Sequence, residues 1–546
     1  MTVTIDRQTA NLLDWRKLPL KVKIAQTIVV RASGYLFDEQ IRYPDWEPIA
    51  AKLQHYIEDL QVGGVILLGA SAGEIYLRAQ QLQNWAKIPL LIGADVEEGV
   101  GQRFAGATCF PPPMALGAIY RDNPDRAVDF ARQMGAVTAS EAFAIGINWL
   151  YAPIVDVNNN PDNPVINIRA FGDNPESVSQ IAAAFIEGAS SHPVLTTAKH
   201  FPGHGDTATD SHLHLPTVPH GIDRLQTIEL PPFQSAIASG VDSIMTAHLL
   251  IPAWDEERPA TLSHPILTGQ LRQNLGFEGL IVTDALIMGG VSNYASPTEV
   301  AIMALEAGAD ILLMPPDPAA TIEAIYAAVM SGRLTEARID ESIARIWQAK
   351  GKIFTVDRPE KKDPSPAILA IATPEANDTV AAILRESQKS GGKLPLVAST
   401  SEKQRNLIVL DDLLKSDFLG SHTPAVTLPR QLGYELQIVD RNSLCGAEAD
   451  SRSTLLQVFL RANPFRGSAG LSPETEVFYQ QLLESDSLRG VVIYGSPYIL
   501  DWFLSQLPDG LPWIFTYGQI PIAQAIACKR MLNLSENLNS IDREFL

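Results

Sequence analysis

Gly279-Leu-Ile-Val-Thr-Asp284 is a short apolar run that stops on a carboxylate, and Val194-Leu-Thr-Thr-Ala-Lys-His200 is a second that stops on a lysine and a histidine. Such runs, bounded by turn residues and apolar on both faces, read as buried parallel strands with a polar group at the carboxyl end. Working outward, comparable runs occur at Thr27 to Val30, Val65 to Leu68, Leu90 to Ile92, Ile147 to Val155, Ser243 to Thr246 and Ile311 to Leu313. Helical stretches separate them, so the pattern is successive βα units. Eight strands close a TIM-like (β/α)8 barrel, and barrel enzymes place their chemistry at the carboxyl ends of the strands. Asp95, Asp156, Lys199, His200, His248 and Asp284 all follow such runs. A doubly wound open sheet is the alternative, but no Gly-x-Gly-x-x-Gly turn follows the first run.

The barrel pattern fills residues 1–355 of the 546; residues 356–366, rich in charge and proline, read as a linker, and residues 367–546 as a smaller C-terminal α/β domain of unassigned role. Its apolar runs at Leu407 to Leu410, Leu436 to Val439, Val491 to Tyr494 and Trp513 to Thr516 alternate with helical stretches, without a cluster of catalytic-type residues. The formal charge of −20, with no Lys/Arg-rich run, argues against nucleic acid or an anionic membrane as partner. Cys109, Cys445 and Cys528 form no CxxC pair and read as small buried hydrophobes. Charged residues from Asp6 to Lys17 leave no room for a signal-peptide core, and no apolar run is long enough to span a bilayer. The expectation is a cytoplasmic monomer.

Seven of the ten histidines lie between His192 and His248, four of them within Lys199-His-Phe-Pro-Gly-His-Gly-Asp-Thr-Ala-Thr-Asp-Ser-His-Leu-His214. With Pro202, Gly203 and Gly205 breaking helix, this is a polar loop at a barrel mouth. Three readings compete. His200 with His204, or His212 with His214, could bind a metal together with Asp206 or Asp210. Against that, Pro202-Gly203 prevents a shared helical face, and no His-Glu-x-x-His is present. The histidines could instead merely satisfy loop carbonyls, which is the preferred account of His192 and His220. Or Asp210 and His212 form an acid/base pair: in an extended segment residues i and i+2 project to one side, so the carboxylate would orient the imidazole and favour its protonated form. Such a histidine could protonate a leaving group and then deprotonate water. Asp284, delivered by its strand, would be the nucleophile; taken alone, helix N-capping is the better account of it, and its position opposite the histidine loop shifts the balance. A carboxylate nucleophile with a separate proton donor describes retaining glycoside hydrolysis.

The stretch Lys199 to His212, closed by Leu215-Pro216, resembles the signature of the family 3 glycoside hydrolases of the bacterial β-N-acetylglucosaminidase type. Asp95-Val-Glu-Glu-Gly-Val-Gly-Gln-Arg103, Asn167-Ile-Arg-Ala-Phe171, Met245-Thr-Ala-His248 and Gly276-Phe-Glu-Gly-Leu-Ile-Val-Thr-Asp284 match in the same order. The resemblance implies Asp284 as nucleophile and Asp210 with His212 as acid/base dyad. It implies that Asp95, Arg103, Arg169, Lys199, His200 and His248 hold the sugar, and that no metal or organic cofactor is needed. The implied substrate is a small carbohydrate carrying terminal β-linked N-acetylglucosamine, from peptidoglycan fragments. A β-glucosidase or other exo-glycosidase of the same fold, a β-N-acetylglucosaminide phosphorylase, a metal-dependent hydrolase using the His200 to His214 loop and a non-catalytic carbohydrate-binding protein are the alternatives. Two departures stand out: Glu98 where the family usually has glycine, which would put a bulkier charge near the pocket wall, and Ala285 where a second acidic residue is common.

Overall fold

The structure, a computed structural model, describes residues 12–211, 213–354, 369–396, 403–444, 447, 450–461 and 470–534. His212, Cys445 and the 356–366 linker therefore lie outside the described residues.

Eight short parallel strands form the first unit: β1 Ile28–Ser33, β2 Gly64–Leu68, β3 Leu91–Ala94, β4 Trp149–Leu150, β5 Thr197–Phe201, β6 Ser243–Thr246, β7 Leu280–Val282 and β8 Leu312–Leu313. Ladders run β8-β1-β2-β3-β4 and β5-β6-β7. Single bridges Trp149 to Leu195 and Val282 to Ile311 join the two arcs, so the sheet closes on itself as a barrel. The strands are almost wholly buried because helices cover the outside and side chains fill the inside. Within the barrel, the Trp149 indole N–H donates to Thr197 Oγ1 and Ser243 Oγ, both at 2.9 Å, which ties β4 to β5 and β6.

Two outer helices, α1 Pro124–Ile145 and α2 Pro175–Ala189, cross closely. A Cβ at Gly135 would stand 2.1 Å from the Phe185 carbonyl oxygen, and one at Gly188 2.0 Å from that of Arg132, so only glycine permits this approach. The amphipathic helix α3 Glu336–Phe354 closes the far end of the barrel. Its Arg345 and Ser342 bind the buried Asp310 carboxylate just before β8 at 3.0 and 2.9 Å.

Among the described residues, the second unit is a six-stranded sheet of β9 Lys389–Gly391, β10 Gln404–Leu410, β11 Glu435–Asp440, β12 Ser453–Leu460, β13 Leu488–Gly495 and β14 Trp513–Thr516, in the order β9-β14-β13-β12-β10-β11. All neighbours are parallel except β9 with β14. One buried apolar cluster continues from the barrel into this domain through Val380, Ile383 and Leu384 of helix α4 Pro374–Ser387. Among the described residues no helix is long and apolar enough to cross a membrane.

Candidate active site

Three adjoining strands feed one charged cluster at the carboxyl end of the barrel. Beyond β3, Asp95 and Glu97 both reach the Lys199 ammonium of β5, with Nζ donating to Asp95 Oδ1 at 2.7 Å and approaching Glu97 Oε1 at 2.6 Å. Arg169, on the loop after β4, clamps Glu97 with two parallel bonds of 2.9 and 2.8 Å. This fork geometry is the strong, directional form of a carboxylate–guanidinium pair. Burial opposes ionisation of Glu97, but the facing guanidinium and ammonium outweigh it and hold its carboxyl well below the usual carboxylate range. Lys199 answers in kind: desolvation lowers its pKa, and the two carboxylates more than restore it. Of the cluster, Asp95 stays the most open, with 27% of its side chain exposed, so it is the carboxylate best placed to accept hydroxyls of a bound ligand. Arg103 donates from Nε to the Asp95 carbonyl at 3.1 Å and so braces the turn that carries it.

The histidine loop is organised by Asp156, which is fully buried. It accepts the His204 amide at 2.7 Å, the His200 amide at 3.1 Å and the His200 Nδ1–H at 2.8 Å. Burial would raise its pKa, but these histidine contacts lower it, so it acts as a fixed anion under the loop. Holding Nδ1–H of His200 leaves Nε2 as the ring's other hydrogen-bonding atom. His204 contacts Thr207 Oγ1 and Ser211 Oγ, both at 2.8 Å, and desolvation pushes its pKa down to about 4, so it is neutral at physiological pH. From the loop after β4, the buried Asn163 ties the two loops together: its Nδ2 donates to the His204 and Gly205 carbonyls at 2.8 and 2.9 Å.

Asp210 is buried, and its carbonyl accepts the Leu213 and His214 amides at 3.0 Å each. The backbone turns here, which corrects the extended geometry expected for this segment: tight amide-to-carbonyl bonds close a turn that a strand would leave open. The His212 half of the expected dyad lies outside the described residues. Asp284 follows β7 and accepts the Ala285 amide at 2.7 Å, and its charge is felt at His204, which places it beside the histidine loop. His248 contacts Thr261 Oγ1 through Nδ1 at 2.8 Å and the Ala285 carbonyl through Nε2 at 3.1 Å, so it braces the segment after Asp284. A cavity lined by His214, Leu215, Gly290, Asn293 and Tyr294 opens between the loops after β5 and β7.

Asp95, Arg103, Arg169, Lys199, His200, His248, Asp210 and Asp284, the candidates visible in the sequence, gather at one end of the barrel. Glu97, which holds Arg169 and Lys199 together, and the contacts of Asp156 and Asn163 are not among them. The Asp-x-Glu spacing of Asp95 and Glu97 was the available signal for the first. Glu98, expected near the pocket wall, is bound to Arg461 of the second domain, at 2.7 and 3.3 Å.

A closed parallel barrel with carboxylates, cations and imidazoles converging at its carboxyl mouth defines a barrel enzyme of the kind that handles polar small molecules. The chain belongs to glycosyl hydrolase family 3: residues 19–349 match the model of the Glycosyl hydrolase family 3 N terminal domain, and residues 397–533 that of the Bacterial Glycosyl hydrolase family 3 C-terminal domain. Its relatives include "Beta-hexosaminidase A" of Pseudoalteromonas piscicida, 36% identical over 55% of this chain and 55% of that protein. "Beta-N-acetylglucosaminidase/beta-glucosidase" of Cellulomonas fimi is 29% identical over 66% of this chain and 64% of that protein. The chain thus spans between half and two thirds of the length of these two relatives. A solved glycoside hydrolase family 3 beta-N-acetylglucosaminidase from Paenibacillus sp. str. FPU-7 superposes with a TM-score of 0.77 at 29% identity, covering 94% of this chain and 97% of that one. The structure of beta-glucoside phosphorylase BglX, 24% identical with a TM-score of 0.77, covers 95% of this chain and 92% of that one and shares the fold.

Proposed function

We propose that this protein is a retaining, exo-acting β-N-acetylglucosaminidase. The observation that carries this reading is that Asp284 ends β7 near the histidine loop, at the same carboxyl end of the barrel as the Asp95, Glu97, Arg169 and Lys199 cluster, in a chain whose relatives are named for hexosaminidase activity. In the first step an Asp284 oxygen attacks the anomeric carbon while His212, supported by Asp210, gives its proton to the departing glycosidic oxygen. The C–O bond to the aglycone breaks as the ester to Asp284 forms. In the second step neutral His212 takes a proton from water, whose oxygen displaces Asp284 and releases the sugar with its configuration retained. Asp95, Lys199, Arg169 and His200 hold the sugar hydroxyls and acetamido group in place meanwhile.

The substrate we assign is terminal β-linked N-acetylglucosamine on peptidoglycan fragments, turned over in the cytoplasm by a monomer that recruits no cofactor. An aryl β-N-acetylglucosaminide and the matching β-glucoside, each assayed in phosphate and in a non-phosphate buffer, test the reading. Release from the acetamido sugar in either buffer supports it, with Asp284→Ala lowering kcat by at least about a thousandfold in a folded protein. Preference for the glucoside, the second activity in the name of the Cellulomonas fimi relative, would replace the sugar assignment. Turnover that requires phosphate would replace hydrolysis.

A further inference from the structure

The second domain meets the barrel at its catalytic end. Arg461 directly follows β12 and Ser496 directly follows β13, so both stand at the carboxyl edge of neighbouring central strands. That edge faces the two barrel loops that carry the charged cluster. On the loop after β3, buried Glu98 receives the Arg461 guanidinium through two nitrogens, and its amide is held by Gln102 Oε1 at 3.0 Å. On the loop after β4, Asn158 Nδ2 donates to the Tyr498 hydroxyl at 2.8 Å, and the Ser496 hydroxyl donates to Asn167 Oδ1 at 3.3 Å. The Asn167 amide in turn donates to Asn158 Oδ1 at 2.9 Å, and Asn167 is held at φ 44°, two residues before Arg169.

The result is a row of alternating charge that crosses the domain boundary: Lys199 between Asp95 and Glu97, Arg169 on Glu97, Arg461 on Glu98. Arg461 is near enough to Arg169 for the two to repel. Glu97 and Glu98 are consecutive and face opposite ways, one toward the sugar-binding cations and one toward the second domain. Fixing Glu98 therefore fixes the peptide from which Glu97 projects.

Resting on the assignment of this cluster to sugar binding, we infer that Arg461 is a positioning residue for the reaction. By anchoring Glu98, with Ser496 and Tyr498 anchoring the neighbouring loop, the second domain sets the Glu97–Arg169 pair in the geometry that grips the glycone. It leaves the bond-breaking groups to the barrel.

The test compares Arg461→Ala, Arg461→Lys, Glu98→Ala and the Arg461→Ala/Glu98→Ala double variant with the wild type. Three readouts are KM and kcat on an aryl β-N-acetylglucosaminide, melting temperature, and hydrogen-exchange protection of residues 95–103 and 163–171. We expect Arg461→Ala to raise KM roughly tenfold with little change in kcat, since it loosens groups that bind the sugar and leaves the bond-breaking groups in place. Both segments should lose protection. Arg461→Lys should recover part of the affinity, and the double variant should be no worse than either single one. A domain that only adds stability would lower the melting temperature and leave KM alone, and that result overturns the proposal, as does unchanged protection. Should Arg461→Ala not fold, Tyr498→Phe reads the same effect through Asn158, and an unchanged KM there is equally fatal. A wild type that cleaves none of these glycosides counts against the proposed activity, while the exchange data still decide whether Arg461 orders the loops.

Discussion

At the scale of single residues, the cluster is a balance of buried charges, and Glu97 is its pivot. Two cations, Arg169 and Lys199, converge on it at 2.8 and 2.6 Å with almost no solvent to share the load. Removing one partner of such a group leaves the others desolvated and uncompensated, at a cost of about 3–5 kcal/mol. Glu97→Gln is therefore expected to lower the melting temperature markedly and to raise KM for the glycoside by more than tenfold. Thermal unfolding and steady-state kinetics on the same preparation check both, and a silent substitution would remove Glu97 from the centre of the site. The residues that sequence reading located are those whose partners lie within one local motif or at strand ends, as with Lys199 and His200. Arg461 was invisible because its partner Glu98 is 363 positions away and nothing in the flanking sequence marks either as half of a pair. Glu98 read only as a charge near the pocket wall for the same reason.

At the scale of elements, the alternation of short apolar runs with helical stretches was enough to read the barrel, and the strand limits show where it was not. The apolar pattern of β1 stops at Val30, because Arg31 interrupts it, but the strand runs to Ser33. In the fold that guanidinium is paired with buried Glu47 at 2.9 Å, which makes a charge acceptable in a strand. Conversely, the long run from Ile147 to Val155 pairs as a ladder only at Trp149–Leu150, since Pro153 has no N–H to offer and the chain bends to bring Asp156 under the histidine loop. Helix α3 carries a further consequence. Its Lys350 is fully buried, donating to Gln26 Oε1 at 2.6 Å, and burial pushes its pKa down from the ordinary 10.5 to about 7. Between these values the unfolded chain holds a proton that the folded one has released, so folding is favoured progressively as pH rises from about 7 toward 10.5. Below that window both states are protonated and the full burial penalty remains. The stability of the wild type relative to Lys350→Met should therefore climb with pH across it, at up to about 1.4 kcal/mol per unit. Denaturant midpoints from pH 6 to 10 measure this, and parallel curves would mean that Lys350 stays charged.

At the scale of the whole molecule, the two sheets are joined by more than a tether. The apolar cluster is continuous through α4, and polar ties reinforce it: the Ala372 amide donates to buried Glu141 at 2.7 Å, Thr379 Oγ1 to Gln133 at 3.0 Å, and Arg126 to Glu386 at 3.0 Å. Units that share a core lose it together. Calorimetry is accordingly expected to show one unfolding transition, and two resolved transitions would contradict the shared core. The two-part organisation was legible from the break in pattern after α3, whereas the docking was not, because it is made by residues scattered along both parts. Its consequence reaches into how such a chain can change over generations. A barrel that kept Glu98 but exchanged its second half, by recombination, for one without Arg461 would inherit an acidic side chain with no counterpart. A second half carrying Arg461 onto a barrel with glycine at that position would inherit the opposite defect. The two positions are thus expected to be inherited as a couple, and a working chimera between family members should require both to be exchanged in the same step.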